Sequence, residues 1–235
     1  MNQVEKWDKM SERFNVHKQD KIDASAADNI IIAWPIFLKE LNSFSEAKIL
    51  DFGCGTGGFC NKLNELGHNV TGIDTSEKMI NHAKLNSPQK IKFIVEGKDE
   101  LNRINEKFDI ITSIMVFQFI EDIESYLSIF SKILNEKGKL IFATINPDFV
   151  KRASEIRYKN IHEENESVTA NMDFGQDIVF KIFARSENEY KKLFEKYGLK
   201  FNSVYYPEFT EEFVKKYDWK LPYDVPEFLI MSFLK

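Results

Sequence analysis

From Lys48 onward the apolar residues fall into short runs separated by amphipathic stretches, and this alternation restricts the fold more than any other feature of the chain. The runs Lys48 to Phe52, Asn69 to Ile73, Ile91 to Val95, Phe108 to Ile114 and Lys139 to Ile145 read as strands. Between them 57–66, 76–86 and 122–135, with a shorter stretch at 99–104, read as helices. That alternation predicts right-handed crossovers and a parallel sheet covered on both faces. After Asn146-Pro147 the rhythm breaks over residues 147–185, which are more polar. A helix from Ser186 to Tyr197, closed by Gly198, precedes two more strand-like runs, Lys200 to Tyr206 and Glu227 to Leu234. The short aromatic and Pro-containing link between those two suits an antiparallel final strand better than a further crossover. Upstream, Trp7, Met10 and Phe14 share one helical face, and Asp23 or Ser25 can cap a second helix that Pro35 bends or restarts.

The chain therefore reads as one α/β unit over 1–235, with a helical lid at 1–45, a core at 46–146, an insertion at 147–185 and a C-terminal part of the sheet at 186–235. The longest apolar run, Ile30 to Leu38, is interrupted by Pro35 and falls far short of the ~20 residues of a bilayer span. The first residues alternate charges where a signal peptide carries an apolar segment, so the expectation is a cytoplasmic protein without a membrane partner. A net charge of -5 disfavours nucleic acid as a partner. Two cysteines, Cys54 and Cys60, are too few for a disulfide framework or a zinc site and read as reduced thiols. His162-Glu163-Glu164 lacks a second His at helical spacing, so no metal is expected.

The segment Ile49-Leu50-Asp51-Phe52-Gly53-Cys54-Gly55-Thr56-Gly57-Gly58 runs a buried strand into a glycine turn and then a helix. Glycines let a backbone bend sharply and let a ligand approach it, which makes this a cofactor seat. Gly53, Gly55 and Gly58 satisfy the dinucleotide spacing. Asp51 argues against a pyrophosphate there, because its charge would repel phosphate and attract an ammonium or sulfonium. Asp74, 23 residues further on at the end of the next strand, can accept hydrogen bonds from both hydroxyls of a ribose.

With these residues in view, the stretch from about Lys48 to Pro147 resembles the class I S-adenosylmethionine-dependent methyltransferases, in particular their small-molecule group. ILDFGCGTG is similar to the first cofactor motif of that family, and Asp74 with Ser76, Met79 and Ala83 to its acidic-loop motif. Phe108-Asp109-Ile110-Ile111 with Ser113 resembles the fourth-strand motif. The resemblance implies a Rossmann-like seven-stranded, mostly parallel sheet with helices on both faces, an antiparallel last strand and an N-terminal helical lid. It implies S-adenosylmethionine as cofactor, with Arg13, Asp51, Gly53, Cys54, Gly55, Asp74, Thr75, Met79, Lys98, Asp99 and Ser113 as the residues that contact it. Two departures stand out: the turn Leu134-Asn135-Glu136-Lys137-Gly138 lacks the family's Pro and one Gly, and Gly97-Lys98-Asp99 replaces the family's G-D-A. At that second site either the Asp99 carboxylate or the backbone of Lys98 and Asp99 meets the adenine. Met79 either packs on the adenine or fills the core, and Arg13, within the E-R-Y-D-like Glu12-Arg13-Phe14-Asn15, reaches the cofactor or is a solvated helix charge.

Ser113-Ile114-Met115-Val116 lacks the Asn/Asp-Pro-Pro-aromatic signature of base methyltransferases and the metal-holding Asp of catechol-type enzymes. The acceptor expected by resemblance is thus a small molecule, with its identity, its acceptor atom and the oligomeric state left open. Gln118 either faces the transfer site as a hydrogen bonder or caps a helix, and His17, in the lid, is the better candidate for a base. Ser113 to Ile120 contains no His, Asp, Glu, Lys or Tyr, so alignment rather than an indispensable base is expected to supply the rate. Two other functions share these features: a catalytically silent S-adenosylmethionine-binding partner protein, and a nicotinamide-dependent oxidoreductase.

Overall fold

A computed structural model describes residues 1–17, 23–95 and 98–235, without the side chains of Ser25, Lys98 and Glu100. Helices α1 (Gln3–Met10), α2 (Ala24–Asp28) and α3 (Trp34–Leu41) precede the first strand. The core then runs β1 (Lys48–Phe52), α4 (Gly58–Glu65), β2 (Asn69–Asp74), α5 (Glu77–Leu85), β3 (Lys92–Val95), α6 (Lys98–Asn102), β4 (Phe108–Ile114), α7 (Ile123–Ile133) and β5 (Leu134–Ile145). It is followed by α8 (Pro147–Arg152), β6 (Tyr158–Glu164), β7 (Ser167–Asp173), β8 (Val179–Ala184), α9 (Glu187–Lys196), β9 (Lys200–Tyr205), α10 (Glu211–Lys216) and β10 (Phe228–Leu234).

Seven strands form one sheet in the order β3-β2-β1-β4-β5-β10-β9. The pairs from β3 to β5 are parallel, and β10 runs antiparallel to both β5 and β9, as the sequence predicts. The central strands are apolar throughout because both faces are covered, one core layer containing Phe37, Ile49, Leu63 and Ile110 and the other Leu50, Ile111, Phe130 and Phe194. β1 has β2 on one side and β4 on the other, so successive connections diverge there and leave a crevice at the carboxyl ends of the strands.

Three features differ from the expected elements. β5 begins at Leu134 rather than Lys139, because Leu134 pairs with Phe108 and the strand bulges where Lys137 takes a positive φ of 65°. Asn135 ties this bulge to β4 by donating from Nδ2 to Asp109 Oδ1 at 2.8 Å. The irregularity expected at Pro35 lies just before it, as a π-helical turn over Asn29–Ala33, in which Trp34 N–H bonds the carbonyl of Asn29. Pro35 has no N–H to continue an α-helical ladder through this point. Finally, the polar insertion holds a second, antiparallel sheet, β6-β7-β8. Its period was readable: Val168, Ala170 and Met172 alternate with exposed or half-buried residues along β7, as do Phe180, Ile182 and Ala184 along β8.

Candidate functional site

The turn after β1 and the end of β2 are bound to each other. Asp74 Oδ2 accepts from Gly55 N and Oδ1 from Ser76 N, both at 2.9 Å, so the carboxylate is fixed while keeping acceptor capacity for a ligand. Ser76 caps α5 by accepting from Met79 N at 3.1 Å and donates to Asp8 of α1 at 2.6 Å. Gly55 has φ +53°, and a Cβ placed on it would meet nothing within 4 Å, since it would point into open space. Gly53 differs: at φ +75° its Cβ would lie 2.2 Å from Val116 Cγ2, so close packing of the neighbouring loop requires glycine there.

Asp51 is buried at the same edge, accepting from Thr112 Oγ1 at 2.7 Å and from Cys60 Sγ at 3.3 Å. Burial pushes its carboxyl up to about 6 against the effect of those two donors, and the charge of Asp74 adds to the rise. Asp74 is raised too, by burial, against the backbone N–H groups of Ser76, Gly55 and Thr75. The buried Asp51 and the half-buried Asp74 together attract a cation. Burial pushes the Cys54 thiol up to about 11, which leaves it inert at neutral pH.

This seat opens into a cavity of about 530 Å³. One end is lined by Asp51, Gly53, Cys54, Gly55, Asp74, Thr75 and Met79. The other is lined by Trp7, Phe119, Met172 and Phe174, together with Asp28, Arg157 and Glu227. The lid and the second sheet close over this end: the Trp7 ring lies 4.5 Å from Phe180 and 4.9 Å from Phe119, and Lys6 Nζ donates to Val179 O at 2.6 Å.

The charged trio comes from three distant segments. Asp28 ends α2 and accepts from Asn29 N at 2.5 Å. Arg157 lies before β6 with its guanidinium 4.7 Å from the Phe174 ring centroid. Glu227 directly precedes β10; its carbonyl accepts from Asn146 N at 2.8 Å and Asn146 Nδ2 holds Pro226 O at 2.9 Å. Because β10 is antiparallel to β5, this first residue reaches the carboxyl-end crevice. Glu227 is 2% exposed and Asp28 3%, and Glu227 Oε2 and Arg157 Nε have no hydrogen-bond partner among the described residues. Burial pushes Glu227 up to about 7 despite the opposing charge of Arg157, and raises Asp28, where the charge of Glu227 adds to the effect.

Of the residues singled out in the sequence, Asp51, Gly53, Cys54, Gly55, Asp74, Thr75, Met79 and Gln118 line the cavity. Gln118 is buried and accepts from Thr144 Oγ1 at 3.1 Å. Ser113 is fully buried, its Oγ without a partner among the described residues. Arg13 donates to Phe174 O at 3.1 Å and pairs with Asp23 at 3.2 Å, joining the lid to the second sheet. His17 Nε2 lies 2.7 Å from Thr56 O, fastening the lid to the glycine turn. Asp99 is exposed on α6, whereas the Lys98 side chain, the Ser25 side chain and Gly97 lie outside the described residues. His68 Nδ1 accepts from Ala47 N at 3.2 Å, His82 pairs with Glu12 at 3.0 Å, and His162 is exposed on β6. Asp28, Arg157 and Glu227 were not found from the sequence, since nothing local marks a lone charge beside a strand or helix end. Among the described residues no group of three or more His, Cys, Asp or Glu is arranged to hold a metal ion, and no helix is long and apolar enough to cross a membrane.

A family profile described as "Methyltransferase domain" matches residues 22–204. Two curated proteins named "Ubiquinone biosynthesis O-methyltransferase" are similar to part of the chain. The one from Bartonella tribocorum is 33% identical over 109 residues, 45% of this chain and 44% of that protein. The one from Hydrogenovibrio crunogenus is 30% identical over 117 residues, 48% of each. The chain thus matches less than half the length of these relatives. In fold it is similar to an S-adenosylmethionine dependent methyltransferase from Mesorhizobium loti, at a TM-score of 0.68 and 23% identity over 86% of this chain and 97% of that one. It is also similar to the CcbJ methyltransferase from Streptomyces caelestis, at a TM-score of 0.70 and 12% identity over 99% and 98%.

Proposed function

The chain belongs to the methyltransferase-domain family, and on that premise we propose that it transfers a methyl group from S-adenosylmethionine to a small-molecule acceptor held in the same cavity. The observation that carries this reading is the open space in front of Gly55, bordered by the acids Asp51 and Asp74, which suits a cationic nucleoside without phosphates. When bound, S-adenosylmethionine supplies an electrophilic methyl group on a positively charged sulfur. In this reading Asp74 holds the ribose hydroxyls with its remaining lone pairs. The Gly53-Cys54-Gly55 backbone lets the cofactor approach, Thr75 and Met79 line its path, and Asp51 offsets its charge. Trp7, Phe119 and Phe174 exclude water from the acceptor end, so the protein acts mainly by alignment and desolvation. Residues 1–45 are then a lid and 147–185 a cap over the acceptor, both parts of one domain.

Calorimetry with S-adenosylhomocysteine and with NADH tests this reading. S-adenosylhomocysteine should bind, and Asp74→Ala should weaken it by about 2 kcal/mol, as removal of charged hydrogen bonds does. Gly55→Val should abolish binding while the protein stays folded. Binding of NADH without S-adenosylhomocysteine would overturn the reading. The acceptor is then sought by methyl transfer to a metabolite library with a homocysteine readout. The relatives named for O-methylation make hydroxyl-bearing metabolites the first to screen, and binding without any turnover would favour a silent cofactor-binding protein.

A further inference from the structure

Glu227 and Arg157 each present a buried, unpartnered polar atom, Oε2 and Nε, and both residues line the acceptor end of the cavity. Leaving such atoms unmade is costly, whereas a ligand that fills them regains the loss. The group that suits both must donate to a carboxylate and accept from a guanidinium. A hydroxyl does both. An ammonium only donates and would leave Arg157 facing a second cation, and a carboxylate only accepts and would meet Glu227 and Asp28. The surrounding wall of Trp7, Phe119, Met172 and Phe174 suits an apolar body behind that hydroxyl.

Resting on the cofactor reading above, we propose that Glu227 is the general base of this protein, taking the proton from a hydroxyl of an apolar, phenol-like acceptor whose oxygen Arg157 holds. The O–H bond breaks and the proton passes to Glu227 Oε2; the electron pair stays on oxygen and would form the new O–C bond as the methyl–sulfur bond breaks, that bond's electron pair going to the sulfur of the departing S-adenosylhomocysteine. Glu227 returns its proton to water once the product has left. A base works best when its pKa lies near the working pH, and burial raises Glu227 towards neutrality. The groups that face the pair Glu227 and Asp28 are Arg157 ahead of β6 and Tyr158 at its start, with Asp23 ahead of α2. Asp28 is a positioning residue: the two carboxyls cannot both ionise readily in one buried site, and the charge of Glu227 adds to the burial that raises Asp28, so Asp28 keeps its proton beside the base.

The test uses the full chain saturated with S-adenosylhomocysteine, titrated with para-nitrophenol at a pH where the free probe is fully ionised, in buffers of differing ionisation enthalpy. The wild-type complex must hold one proton between two oxygens, so about one proton should be taken up per probe bound. Glu227→Gln should bind the probe with no uptake, and Asp28→Asn, which mimics the protonated Asp28, should bind it with the uptake retained. Both variants should bind S-adenosylhomocysteine as the wild type does, because neither residue lies in the glycine turn. With any hydroxyl acceptor that is turned over, Glu227→Gln should lower kcat by about 100-fold or more and remove the pH dependence near neutrality. If S-adenosylhomocysteine does not bind the wild type, the cofactor reading falls and this inference with it. If it binds but the probe does not, or benzylamine binds in preference, or Glu227→Gln takes up the same proton, the assignment of Glu227 alone is overturned.

Discussion

Two glutamates packed against the same sheet, Glu40 and Glu227, have opposite fates. Glu40, on α3, faces the beginning of β5 and has every oxygen engaged. Lys139 Nζ donates to Oε2 at 2.8 Å, Tyr205 Oη and Ser203 Oγ to Oε1 at 2.6 and 3.0 Å, and Ser232 Oγ to Oε2 at 3.2 Å. Although burial alone would raise its pKa, these donors hold the carboxyl below its usual value. Glu227, at the far end of β5, lines the cavity, has one oxygen without a partner among the described residues and has a raised pKa. A charge that the fold itself satisfies is part of the scaffold. One that the fold buries and leaves wanting is kept for something that binds.

The contrast breaks most visibly at Lys139. Lys139→Met leaves Glu40 buried without its counter-charge, and should lower unfolding stability by about 3 kcal/mol in denaturant titrations, as loss of one partner of a buried pair does. A loss below about 1 kcal/mol would mean that the three hydroxyl donors suffice and that the pair is not a scaffold element.

Glu227→Gln should act in the opposite direction. The folded-state pKa of Glu227 lies above its unfolded value, so ionising it costs stability as pH rises from about 4.5 towards 7, and the full cost is present above that window. The neutral variant escapes the cost and should be more stable than the wild type at pH 8, by about 3 kcal/mol, while matching it near pH 4. Melting curves that show the variant less stable at pH 8 would place Glu227 with Glu40 among the satisfied charges.

Asp51 sharpens the comparison because it is intermediate: both oxygens have donors, yet burial keeps its pKa near 6. A cationic cofactor favours the ionised form. Affinity for S-adenosylmethionine should therefore be constant above about pH 7 and fall towards tenfold per pH unit below 6, about 1.4 kcal/mol each. A flat titration from pH 5 to 8 would remove Asp51 from the charge balance of the site. The smallest effect is expected of Cys60→Ala, which deletes one weak donor to Asp51 and should shift that midpoint upward by less than one pH unit.

The sequence by itself determined the sheet, its direction and the glycine turn. Those features rest on local rules: apolar runs of strand length, helices between them, and glycines where φ is positive at Gly53 and Gly55. Asp51 and Asp74 were legible for the same reason, since each sits at a fixed offset from the end of its own strand. The second sheet was also written in the chain, as the two-residue period of β7, and its polar alternate positions concealed it. Only the tertiary structure decided which charges meet at the acceptor end. Asp28, Arg157 and Glu227 stand on a helix end, a turn and the residue before the last strand, far apart in the chain, and each alone looks like an ordinary surface charge. What makes them a site is the antiparallel return of β10 beside β5 and the closure of the lid and second sheet over them, which removes water from Glu227 Oε2 while no donor among the described residues replaces it.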